Sequence, residues 1–121
     1  MSIKENSKPY DLEERTYLFA KEVALFIKTL PLTISNAEYA KQVIRSSASP
    51  AANCIEANES LGKKDFLMKL KTCRREAKET TLWLRLLVET NNEKFSKEGK
   101  LLIQEAGELK MIFSTIIKKS S

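Results

Sequence analysis

Histidine is absent from this 121-residue chain. Its absence removes the commonest general base, the commonest metal ligand and most activators of a nucleophile. Cysteine occurs only twice, as Cys54 and Cys73. Two thiols without histidine make a poor zinc site, so neither a metal nor an organic cofactor is expected. In a reducing compartment both thiols are expected as small buried hydrophobes. Glycine and proline occur three times each, while Lys, Glu, Leu and Ala abound, a balance that favours helix over strand. No stretch approaches the roughly 20 apolar residues of a membrane span. The opening segment MSIKENSKPYDLEE has no apolar signal-peptide region. These absences predict a cytoplasmic, non-enzymatic protein with no membrane partner.

What is present suits one domain over residues 1–121. With 42% apolar and 31% charged residues, the chain has the balance of a folded domain rather than a disordered one. Heptad-like stripes predict an all-α, antiparallel up-down-up-down four-helix bundle, with helices at about 11–30, 36–60, 63–90 and 97–118. The first carries Leu12, Thr16, Phe19, Val23, Phe26 and Leu30 on one face, opens on an Asp11/Glu14 capping box and stops at Pro31. The second opens on a Ser35/Glu38 box and is assigned an inner face of Ala37, Ala40, Ile44, Ala48, Ala51 and Ile55. Pro50 falls inside it, so a bend is expected there. The third follows Gly62, with Phe66, Leu70, Cys73, Ala77, Thr80, Leu84 and Leu87 inward. The fourth is capped by Ser96, with Leu102, Ala106, Leu109, Phe113 and Ile116 inward. Gly99 and Gly107 weaken it by about 1 kcal/mol each relative to Ala, so its first half is expected to fray.

Three features could carry function. Net charge is +5, and all of the excess sits in residues 61–78, which hold seven basic residues against Asp65 and Glu76. Lys64, Lys71, Lys78 and Arg85 recur every seven residues, drifting only about 20° per step, and form a stripe facing away from the core. Arg75 lies beside it. Asp65–Lys69, Arg75–Glu79 and Arg85–Glu89 have (i, i+4) pairing distance, which would make the stripe a solvated face. Lys71, Arg74 and Lys78 have no such acid, and Lys63, Lys64, Lys71, Arg74, Arg75 and Lys78 form a candidate phosphate-binding surface. No aromatic residue is interleaved, so binding would be directed to the backbone and tolerant of sequence.

Leu82 and Leu86 lie almost opposite the core stripe, with Trp83 on the flank. Either a neighbouring element covers them or they mark an oligomer contact. Asn53, Glu56, Asn58 and Glu59 form the third feature. Glu56 and Glu59 have i, i+3 spacing, but no nucleophile, metal ligand or phosphate loop accompanies them. The expected role of Asn53 and Glu56 is structural, with Glu56 paired to a helix-three cation such as Arg74 or to a neighbouring subunit.

SSASPAANCIEANES resembles the second-helix signature of the bacterial four-helix-bundle proteins called 23S rRNA intervening-sequence proteins. KKDFLMKLKTCRREAKETTLWLRLL resembles the third-helix signature, and YDLEERTYLFAKEVALFIKTLP the first, together covering about residues 10–90. The resemblance implies a small bundle that assembles into a ring, a pentamer in related members. One relative, the accessory protein of diversity-generating retroelements, is a basic barrel that binds nucleic acid and works with a reverse transcriptase; the likeness here is to the intervening-sequence branch. The sequence thus predicts a homo-oligomer, a pentamer by resemblance, with a basic face for RNA or DNA backbone. The alternative is an oligomeric adaptor for a protein partner with no nucleic-acid role.

Overall fold

The computed structural model describes residues 11–121; residues 1–10, which the single-domain expectation included, lie outside the described residues. The described chain forms four helices: α1 (Leu12–Thr29), α2 (Ile34–Asn58), α3 (Lys63–Thr90) and α4 (Ser96–Ser120). A 3-10 turn at Glu93–Phe95 precedes α4. There is no strand among the described residues. Short links force each helix to run antiparallel to the one before it. Around the bundle α1 packs on α2, α2 on α3 and α3 on α4, while α4 closes more loosely on α1.

Local chemistry explains the ends. Asp11 caps α1 by accepting from the Glu13 N–H at 2.9 Å. Thr33, rather than Ser35, caps α2, accepting from the Asn36 N–H at 3.0 Å. The Ser35/Glu38 box is therefore not the cap, and α2 starts two residues before the expected Asn36 and ends at Asn58. A reciprocal amide pair, Asn36 with Asn91 at 2.8 Å in both directions, ties the start of α2 to the end of α3. Gly62 caps α3, as its sequence position implies. α4 begins at Ser96 directly on the 3-10 turn, so Ser96 is its first residue and not its cap.

The expected stripes of α1, α3 and α4 are all buried. The inner face assigned to α2 is wrong. Its buried residues are Asn36, Val43, Ser46, Ser47, Pro50, Cys54 and Ala57. Ala37 and Ala48 are exposed, and Ile44 and Ile55 are 40% and 52% exposed. α2 turns its small polar side inward because α3 supplies partners. The Ser46 and Thr80 hydroxyls are hydrogen-bonded at 2.9 Å, and the buried Cys54 and Cys73 sulfurs lie 3.9 Å apart as free thiols. The helix runs unbroken through Pro50. Pro50 removes one helical N–H, and its own carbonyl accepts from the Cys73 thiol at 3.6 Å.

Gly99 corrects the expectation of fraying. It is buried where α4 crosses α3 and α1, and a Cβ there would sit 2.3 Å from Val88 Cγ2 and 3.2 Å from Phe26 Cζ. Only glycine permits that approach, so the first half of α4 is helical and tightly held.

Candidate nucleic-acid interface

The outer surface of α3 carries the basic residues read from the sequence. Lys63, Lys64, Lys71, Arg75 and Lys78 are exposed and Arg74 is half-buried. Of the three (i, i+4) pairs expected to neutralise this helix, only Arg85–Glu89 forms, at 3.6 Å. Lys69 leaves the stripe and pairs with Glu56 of α2 at 2.8 Å. That hydrogen bond, aided by the carboxylate charge, raises the pKa of the Lys69 ammonium. Glu56 thus pairs with a cation of α3, but with Lys69 rather than Arg74. Glu79 is drawn to Arg45 of α2 at 3.3 Å, and Arg75 meets its neighbour Glu76 at 3.6 Å. Lys63, Lys64, Lys71, Arg74 and Lys78 make no ion pair within the described residues.

Lysines of α4 join this surface, and the sequence reading missed them. The Gly99–Val88 contact fixes the antiparallel register of α3 and α4. With 100° of rotation per residue, the outward side of α4 that adjoins α3 holds Lys100, Lys110 and Lys118. Lys100 and Lys118 are exposed and Lys110 is half-buried. Carried along the antiparallel helices from that contact, the register puts Lys118 within two residues of Lys71, Lys110 between Arg74 and Lys78, and Lys100 within two residues of Arg85. Among the described residues Glu89 is the sole acid that helix rotation places on this combined face. Spacings of eight and ten residues gave no stripe signal: Lys100 and Lys118 point the same way, Lys110 is turned about 80° from them towards α3, and only the packing of α4 on α3 places all three beside the α3 cations.

The opposite side of α4 has the reverse sign. A groove of about 670 Å³ between α1 and α4 is lined by Asp11, Glu14, Glu22, Glu105 and Glu108, around Leu18 and Phe19. Arg15 bridges it, at 2.8 Å from Glu105 and 3.0 Å from Glu108. The Glu105 hydrogen bond dominates in raising the Arg15 pKa, against partial burial.

The remaining expected residues fall along α2 and α3. Leu82 is 49% exposed, whereas Leu86 and Trp83 are half-buried. Tyr39 of α2 covers Trp83, with ring centroids 6.2 Å apart. Asn53 is half-buried and its amide donates to the Ser49 carbonyl at 2.9 Å and hydroxyl at 3.1 Å. The sequence reading gave Glu76 no place on this seam, yet it is 8% exposed. Its Oε1 has no hydrogen-bond partner and lies 4.0 Å from Arg45. The hydrogen-bond contact with Cys54, and burial, raise the Cys73 pKa, which keeps the thiol protonated and poorly nucleophilic. No group of three or more Cys, Asp or Glu among the described residues is placed to hold a metal ion. Among the described residues no helix is long and apolar enough to cross a membrane.

Comparison with curated proteins finds no match. A similar solved structure is that of a protein of unknown function from the S23 ribosomal protein family of Bacteroides thetaiotaomicron VPI-5482. It shares 27% identity with this chain at a TM-score of 0.76, over 89% of this chain and 99% of that one. The family resemblance read in the first three helices extends into α4, since the matching pattern runs through residues 9–114. The chain belongs to the 23S rRNA-intervening sequence protein family.

Proposed function

We propose that this protein is a non-enzymatic, homo-oligomeric protein that binds the phosphate backbone of nucleic acid through the outer face of α3. The observation that carries this reading is the set of exposed cations, Lys63, Lys64, Lys71 and Lys78, left without ion pairs among the described residues while nearby acids bind elsewhere. Surface cations with no internal partner raise the local potential and release counterions when phosphate replaces them. A sequence without histidine, and a Glu56 already engaged by Lys69, support a binding role over a catalytic one. Self-association is supported by apolar side chains left in water, Leu82 on α3 and Ile44 and Ile55 on α2. Repetition of the basic face in an oligomer would raise avidity, and a pentamer is the ring size suggested by resemblance.

The test is binding to a mixed pool of RNA and DNA at two salt concentrations, with light scattering on the same sample. Tight binding at low salt that weakens steeply with added salt is expected, from a particle larger than one chain. No binding at low salt would overturn the nucleic-acid reading. The adaptor reading would then take its place, with the acidic α1–α4 groove as the observation favouring a basic protein partner. A monomer at micromolar concentration would overturn self-association.

A further inference from the structure

We infer that the basic face takes double-stranded nucleic acid, with α3 and α4 each following one phosphate strand across a groove. The inference rests on the proposed function and adds the class of ligand.

The face consists of two rows. On α3, Lys64, Lys71, Lys78 and Arg85 stand at seven-residue intervals, about 10.5 Å apart at 1.5 Å per residue. On α4, Lys118 and Lys100 share one outward direction about 27 Å apart by the same rise, with Lys110 between them turned about 80° towards α3. The helices are packed neighbours, and tight packing at Gly99 holds them close. Packed helix axes lie about 8–10 Å apart, and side chains on the outward faces splay further. Duplex grooves are about 6–12 Å wide between phosphate strands, which is the separation the two rows offer. A single strand presents one phosphate row and could satisfy only one helix at a time.

The chemistry between the rows agrees. Proteins that hold single strands add aromatic platforms for the unstacked bases. Among the described residues the sole exposed aromatic is Tyr17, on α1 and away from this face; Tyr39, Trp83 and Phe95 are half-buried and the other aromatics are buried. Among the described residues the α3–α4 face therefore has cations for two backbones and no exposed aromatic ring on which a base could stack.

The experiment measures affinity by fluorescence anisotropy for a DNA duplex, an RNA duplex of the same sequence and the separated strands of each. At least one duplex is expected to bind about tenfold tighter than its own strands at low salt, with a steeper salt dependence. The tighter duplex identifies A-form RNA or B-form DNA as the source. The variant carrying Lys100→Glu and Lys118→Glu is expected to lose the duplex advantage. Both side chains are exposed, so its helical circular dichroism is expected to be unchanged. Should that variant be poorly folded, Lys100→Gln with Lys118→Gln gives the same readout without charge reversal. Single strands that bind as tightly as either duplex, or α4 variants that keep the preference, would overturn this inference while leaving backbone binding intact. Absence of binding to every probe would instead overturn the proposed function on which it rests.

Discussion

α4 separates two surfaces of opposite sign, and they differ in more than charge. On the α1 side, Arg15 sits between Glu105 and Glu108 in close ion pairs. On the α3 side, Lys64, Lys71 and Lys78 reach into water with no ion-pair partner within the described residues. The first arrangement spends its cation on joining two helices. The second adds mutual repulsion to the bundle and joins nothing. Equal charge changes on the two surfaces should therefore have unequal consequences.

The largest expected effect breaks the basic side. Replacing Lys71→Glu and Lys78→Glu together should weaken binding to all RNA and DNA sequences alike, by about a hundredfold at low salt, and flatten the salt dependence. Anisotropy titrations check this, and thermal unfolding of the same variant should move little. Next is the crossing that holds the two rows together. Gly99→Leu forces a side chain into the space of Val88 and Phe26, and should cost about 2–3 kcal/mol in denaturant unfolding.

Arg15 gives the sharpest contrast. Arg15→Ala leaves Glu105 and Glu108 facing each other and should cost about 1–2 kcal/mol of stability with no loss of nucleic-acid binding. Lys78→Ala removes the same charge and should do the reverse. The smallest effect lies at the α2–α3 seam. The Cys73 pKa is raised in the folded protein, so its contribution to stability is complete below the unfolded thiol's value and is lost as pH rises above it. With an ordinary thiol near pH 8.5, about 1 kcal/mol should be lost by about pH 9.5. Unfolding of a Cys73→Ala variant should lack this slope.

The sequence made three helices legible because their apolar and polar residues separate cleanly, as Phe19, Val23 and Phe26 do from Lys21, Glu22 and Lys28. α2 defeated that reading. Its alanines and isoleucines look like a core face, yet Ser46 and Asn36 go inside because a Thr80 hydroxyl on α3, the Asn91 amide and the Pro31 carbonyl await them, and buried Ser47 donates back to the Ile44 carbonyl of its own helix. Hydrophobic periodicity cannot register a buried polar group whose partner lies on another helix. The α3 half of the basic face was legible from its seven-residue repeat. Its α4 half was not, since Lys100, Lys110 and Lys118 form no repeat within α4 and join the α3 cations only through the packing register. The pairing of Lys69 with Glu56 was hidden for a similar reason, because Asp65 offered an equally plausible partner within the helix.

The groove between α1 and α4 also bears on how the protein opens. α1 is secured well to α2 but only loosely to α4, with solvent space and carboxylates along that seam. Its amides should therefore exchange with deuterium sooner than those of α3, which is clasped on both sides. Exchange measured on the native protein should divide the bundle into a slow unit built on α3 and an early-opening α1.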